Sequence, residues 1–291
     1  MGGGLAAASA VAAEVFEQAD EVLGRPISRL CFLGPEEALD DTANTQPAIL
    51  TVSIAALRVL QQALEAEPTF VAGHSLGEFG ALVAAGAISF EEALLLVQER
   101  GRLMKEAGER QPGGMTAVIG PTTAQVERIC QQVRTQTGGY VGIANDNCPG
   151  QVVISGDAET LQAAEEGLQG AGARRVVRLA VSIAAHSPLM AEAAAAFRRA
   201  LDAAPFRRPS IPVVANATAH PVAEPEALRA ALARQLTSPV RWTESVQWMI
   251  AHGAERFIEV GPGDVLTGLL RRIDRSVERA TTEQILEHEG S

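Results

Sequence analysis

Gly73-His74-Ser75-Leu76-Gly77 sets a serine between two glycines in a G-x-S-x-G pentapeptide. A short apolar run, Thr69 to Ala72, precedes it, and a small-sided helical run from Leu76 to Ala85 follows. Strand, tight turn and helix in that order are the context a nucleophile elbow requires. The glycines permit a sharp turn that strains the serine backbone and lifts its hydroxyl above the sheet. Backbone N–H groups at the start of the helix, that of Leu76 above all, are then placed to stabilise an oxyanion. The chemistry is attack of an activated serine on an acyl carbonyl. The bland reading is an incidental Gly-Ser turn, and the strand-to-helix context counts against it.

A serine needs a base, and the chain has five histidines. His74 adjoins Ser75, and neighbours in extended backbone point to opposite sides, which favours a structural role. His186 lies in Ala184-Ala185-His186-Ser187-Pro188-Leu189-Met190, where the chain passes between two lobes. Such junctions favour sites, but position alone leaves His186 evenly balanced between base and structural residue. His220, His252 and His288 lie near helix ends or in polar loops, where solvated roles are expected. Asp146 and Asp157 precede His186 and could supply an acid in a hydrolase order.

Arg100 shares a helical face with Leu96 and Leu103. An arginine in an apolar stripe is costly unless paired. It is either a snorkelling or ion-paired side chain or a bidentate clamp for a substrate carboxylate. Gly261-Pro262-Gly263 looks like a phosphate-cradling turn, yet it lacks G-x-G-x-x-G and a Walker lysine, so a structural turn is expected. The pairs Arg174-Arg175, Arg207-Arg208 and Arg271-Arg272 are solvated charge by default, or contacts for an acidic partner or for phosphates.

Alternating strand and helix signals must position these residues. Ser89-Phe90-Glu91-Glu92 is a capping box opening a helix to about Lys105, and 108–114 reads as a linker. The middle segment predicts a strand at 115–119, a helix from Thr122, strands at 140–144 and 151–155, a helix capped by Asp157 and a strand at 175–181. That order, β-α-β-β-α-β, is a ferredoxin-like split. Further signals predict a strand at 211–215, helices at 224–236 and 242–252, a strand at 257–260 and a helix at 264–273. The expected fold class is α/β: a hydrolase-like core with a mainly parallel sheet, plus an inserted ferredoxin-like small domain. Residues 1–110 and 182–291 form the large core in this reading, and 111–181 the small domain.

Composition bounds the function. Of 291 residues, 47% are hydrophobic and 20% charged, a globular balance. Aromatics are 4%, so Ala, Val, Leu and Ile must build the core. A formal charge of −11 without a dense basic block argues against nucleic acid and requires any acidic partner to find a local basic patch. Cys31, Cys130 and Cys148 fit no metal or disulfide framework, and a reducing cytoplasm is the simplest setting. Residues 1–15 lack a basic residue and read as an amphipathic helix, not a signal peptide; no stretch reaches the about 18 apolar residues of a membrane span.

Several segments together resemble malonyl-CoA:acyl carrier protein transacylases and related polyketide acyltransferase domains. They are Gly73 to Glu78, Asn44 to Ala48, Gln98 to Gly101, Asn147 to Gly156, His186 to Met190, Arg234-Gln235-Leu236 with Pro239-Val240, and Glu259 to Gly263. The resemblance spans almost the whole chain. It implies that Ser75 is acylated, that His186 is its base in a Ser-His dyad, and that Arg100 binds the malonyl carboxylate. It also implies that the Gln235 backbone carbonyl holds His186, that Leu76 serves the oxyanion, and that Gln46 and Asn147 line the pocket. The implied reaction is ping-pong malonyl transfer from CoA to a phosphopantetheine thiol by a cytoplasmic monomer, without metal or redox cofactor and without nucleic-acid or membrane partners.

Two departures qualify the match. Ala184-Ala185 precede His186 where many malonyl-selective relatives carry a bulkier residue. Met1 aligns just after the family's opening strand and Gly-Gln-Gly-Ser-Gln turn, which supplies an oxyanion donor. The expectation is an unpaired edge beside the missing strand, with low stability and weak activity. The rivals are a serine hydrolase or thioesterase, and a catalytically impaired scaffold.

Overall fold

The computed structural model describes residues 1–39, 41–64 and 67–289. The chain opens with α1 (Gly3–Ala8), α2 (Ala10–Leu23), α3 (Ile27–Leu33), α4 (Glu36–Leu39) and the long α5 (Thr42–Ala63). Next come β1 (Val71–Ala72), α6 (Gly77–Ala84) and α7 (Phe90–Arg110). The middle segment is β2 (Gly113–Ile119), α8 (Thr123–Thr137), β3 (Val141–Cys148), β4 (Gln151–Asp157), α9 (Ala158–Gly170) and β5 (Arg175–Arg178). A 3₁₀ turn at Pro188–Met190 leads to α10 (Ala191–Ala203), β6 (Val213–Val214), β7 (Pro221–Val222), α11 (Pro225–Gln235) and α12 (Trp242–Ala251). The chain ends in β8 (Arg256–Glu259), α13 (Val265–Ile273), β9 (Glu278–Thr281) and α14 (Thr282–Glu289).

Local chemistry explains the starts. Ser89 Oγ accepts the Glu92 N–H at 3.2 Å while the Glu92 carboxylate accepts the Ser89 N–H at 2.6 Å, closing the capping box of α7. Thr122 and Gln125 cap α8 in the same way, and Asp157 accepts the Thr160 N–H at 2.9 Å to start α9.

The fold is mixed α/β. β2 to β5 form one antiparallel sheet in the order β3-β4-β2-β5, backed by a separate apolar cluster from α8, α9 and the sheet. A larger cluster joins α2, α5, α6, α7 and α10, and a third gathers around α12 and α13. The expected mainly parallel sheet is instead two short sheets among the described residues: β1-β6-β7, parallel then antiparallel, and the parallel pair β8-β9. β1 stands at the edge of its sheet.

Two boundaries move. The expected linker at 108–114 shrinks, because α7 runs to Arg110 and β2 begins at Gly113. The strand expected at 175–181 stops at Arg178, because the Val181 N–H turns back to the Leu179 carbonyl at 2.8 Å and leaves the ladder. Among the described residues no helix is long and apolar enough to cross a membrane.

Candidate active site

The elbow is built from close approach. A Cβ at Gly73 would stand 2.0 Å from the Gly77 carbonyl carbon and oxygen, so only glycine fits. Ser75 has φ 51°, a left-handed conformation that costs a non-glycine residue about 1–3 kcal/mol. Asn216, just beyond β6, clamps the turn from both sides. Its Oδ1 accepts the Ser75 N–H at 2.7 Å, and its Nδ2 donates to the Gly73 carbonyl at 2.7 Å. Parallel pairing of β1 with β6 brings Asn216 to that place. The N–H groups of Gly77, Glu78 and Phe79 bond to the carbonyls of His74, Ser75 and Leu76. Among the described residues no acceptor takes the Leu76 N–H.

His186 also adopts a left-handed φ, 58°. The turn is fixed by Ser187, whose hydroxyl donates to the Ala184 carbonyl at 2.6 Å and accepts the Leu189 N–H at 3.2 Å. The ring lies 2.8 Å from Ser75 Oγ through Nε2 and 2.8 Å from the Gln235 backbone oxygen through Nδ1. A carbonyl only accepts, so Nδ1 carries the proton and Nε2 offers its lone pair to the Ser75 hydroxyl. Burial, and then the Arg100 charge, lowers His186 to about 3, so the imidazole is neutral at physiological pH, as a general base must be.

Arg100 enters from α7 and is 2% exposed. Gly101 permits its approach: a Cβ there would lie 2.8 Å from the Thr42 carbonyl of α5. Arg100 Nη1 donates to Gln46 Oε1 at 2.7 Å, and Nη2 to Gln235 Oε1 at 3.0 Å and Ser75 Oγ at 3.1 Å. Its buried Nε has no partner among the described residues. Burial lowers Arg100 to about 10, opposed by the charge of Glu78, so it stays cationic at neutral pH. A cavity of about 250 Å³ opens above Ser75 and His186, lined by Thr45, Gln46, Met104, Asn145 and Ile183 among others.

The structure therefore brings together Ser75, His186, Arg100, Gln46, Gln235 and the Leu76 N–H. Asn147 does not line the cavity: its Oδ1 meets Nε2 of His74, which does line it together with Asn145, at 2.8 Å. Register shifts along β3 on both sides of Asn145 and Asp146 account for the change of direction. His74 packs edge-on against Trp242, with burial holding it below the usual histidine range. His220 and His252 are exposed, and the side chain of His288 lies outside the described residues. Asp146 takes the Thr243 hydroxyl at 3.0 Å, and Asp157 caps α9 and takes the Tyr140 N–H at 2.6 Å; neither is the partner of His186 Nδ1. At the Gly261-Pro262-Gly263 turn, the Glu259 carboxylate accepts the Leu266 and Thr267 N–H groups at 2.9 and 2.6 Å and fills the start of α13. Among the described residues no cluster of three His, Cys, Asp or Glu side chains could hold a metal ion.

Sequence reasoning missed Asn216 and Asn145. The only local signal for Asn216 is a polar residue directly after the apolar run Val213-Val214-Ala215.

Residues 1–288 match the family described as "Acyl transferase domain". The chain is 42% identical over 267 residues to the malonyl CoA-acyl carrier protein transacylase of Bacillus subtilis, covering 92% of this chain and 84% of that protein. Against the enzyme of the same name from Escherichia coli it is 43% identical over 269 residues, 92% and 86% of the two chains. Among solved structures it resembles a malonyl-transacylase in complex with its type II PKS acyl-carrier protein, with a TM-score of 0.94, 41% identity, and 98% and 93% of the chains covered.

Proposed function

The chain belongs to the acyl transferase domain family, and from that premise we propose that it moves a malonyl group from malonyl-CoA to the phosphopantetheine thiol of an acyl carrier protein, through an ester on Ser75. The observation that carries this reading is Arg100. It is a buried cation whose protein partners are two amide oxygens and the nucleophile's own hydroxyl, 3.1 Å away. A positive charge dressed in neutral amides beside a nucleophile suits an acyl group that ends in a carboxylate.

His186 Nε2 takes the Ser75 proton as Oγ attacks the thioester carbonyl. The oxyanion lies against the Leu76 N–H. The C–S bond breaks and the CoA sulfur takes the proton from His186, leaving a malonyl ester. The carrier thiol then gives its proton to His186 and attacks the ester carbonyl, and Ser75 Oγ leaves with that proton. Arg100 holds the carboxylate in both halves, and the Gln235 carbonyl keeps the His186 tautomer. No metal or redox cofactor enters the cycle.

The finer architecture belongs to the same reading. Residues 111–181 form a small ferredoxin-like domain inserted in a hydrolase-like core, 1–110 with 182–291. The strand order β3-β4-β2-β5 and the separate cluster against α8 and α9 support it. Met115 and Asn145 from the small domain and Gln46 and Met104 from the core line one cavity. The setting is a cytoplasmic monomer serving fatty acid or polyketide synthesis.

The test is malonyl-CoA turnover with and without holo acyl carrier protein. Malonyl-carrier should form in step with CoA release and depend on the carrier. Free malonate released at the same rate without carrier would establish a hydrolase instead.

A further inference from the structure

Beneath the elbow lies a carboxyl that the transfer cycle does not use. Glu78, in the first turn of α6, is 2% exposed. Its Oε2 accepts from Gln235 Nε2 at 2.7 Å and from the Asn216 backbone N–H at 3.4 Å. Both donors belong to residues that hold the site. Gln235 offers its side-chain oxygen to Arg100, its Nε2 also to the Ser75 carbonyl at 2.9 Å, and its backbone oxygen to His186. Asn216 fixes the backbone on either side of His74 by its bonds to Gly73 and Ser75. Among the described residues, Glu78 is the one side chain bonded to both.

The bland reading is an acidic residue offsetting the dipole of α6. That role works at an exposed helix start and does not need burial. Here burial pushes Glu78 up to about 7, against hydrogen bonds from Gln235 and Asn216 and the charge of Arg100. Burying that carboxyl costs free energy, which its two hydrogen bonds offset in part.

We propose that Glu78 is a positioning residue for the transfer: its Oε2 is the acceptor that locks Gln235 and Asn216 together, and so sets Arg100 and the Ser75 elbow against His186. The inference rests on Ser75 being the nucleophile activated by His186. The acceptor matters more than the charge. Glu78→Gln keeps an oxygen in place. Glu78→Asp withdraws it by one methylene while keeping the carboxylate. Glu78→Ala removes it.

The measurement is the rate at which a fluorophosphonate probe labels Ser75, expressed per titratable site, beside the malonyl-over-acetyl transfer ratio and the melting temperature. Relative to wild type, the labelling rate should fall by at most about threefold for Gln, about tenfold for Asp and about 10²-fold for Ala, the scale of a 1 Å misplacement. The malonyl preference should fall in the same order. Should the Ala variant fail to fold, Gln against Asp still decides. Equal labelling rates per site in all folded variants would overturn the proposal, as would an order in which Asp matches wild type and Gln fails. Malonyl transfer by the wild type tests the substrate reading separately: its absence, with Ser75 still labelled, would remove malonyl while the labelling order still decides Glu78.

Discussion

Arg100 and Arg102 leave the same helix two residues apart and end in opposite surroundings. On the outer face of α7, Arg102 is bound by carboxylates: Glu99 at 2.6 and 2.7 Å, and Glu106 one turn on. On the inner face, Arg100 is buried against Gln46, Gln235 and Ser75, and the nearby carboxyl of Glu78 reaches it only through the Gln235 amide. The outer cluster of Arg102, Glu99 and Glu106 pairs its charges in water and gains little from it. The inner arginine keeps its donors geometrically fixed, and the Glu78 charge acts on it without a direct ion pair. A direct Arg-Glu pair would compete with a substrate carboxylate; an intervening amide holds the guanidinium without doing so.

Substitution at the two positions separates the faces. Arg100→Ala removes a desolvated charge-assisted pair, about 2–4 kcal/mol, so malonyl kcat/KM should drop roughly 30- to 1,000-fold. Acetyl transfer should be spared or improved. Equal losses for both acyl groups would make Arg100 purely structural and collapse the contrast.

A smaller effect sharpens the role of the intervening amide. The folded-state value of Glu78 is raised to about 7. Its protonated form therefore favours the fold at low pH, and that contribution is lost as pH rises through about 7. Glu78→Gln does not titrate, so its melting temperature should gain on wild type between pH 5 and pH 8. A gap that stays constant across that range would mean the buried carboxyl does not titrate there. The smallest effect belongs to the outer face: Arg102→Ala should cost less than about 1 kcal/mol of stability by chemical denaturation and leave malonyl transfer intact.

The contrast between the faces was partly legible in the sequence. Leu96, Arg100 and Leu103 marked the inner stripe by spacing alone, and Gly73 to Gly77 announced the elbow because its backbone geometry restricts residue type. The capping boxes at Ser89 and Thr122 were readable because their partners are three residues away. α5 was not: Pro47 sits inside the helix and removes a backbone donor, and packing against α7 and α2 overrides that signal. Nor could the sequence place Asn216, whose contacts with the elbow span more than a hundred residues. The direction of Asn147 depends on register shifts in β3 that simple alternation does not encode. His186 was balanced on position and favoured by family resemblance; the tautomer-fixing bond to the Gln235 carbonyl is a tertiary fact.

The covalent intermediate tests the transfer mechanism most directly. Wild-type protein and Ser75→Ala should be exposed to malonyl-CoA without carrier, quenched in acid and digested for peptide mass spectrometry. One malonyl group should appear on the wild-type peptide that contains Ser75 and be absent from the variant. A malonyl adduct that persists in Ser75→Ala, or one confined to another residue of the wild type, would contradict it.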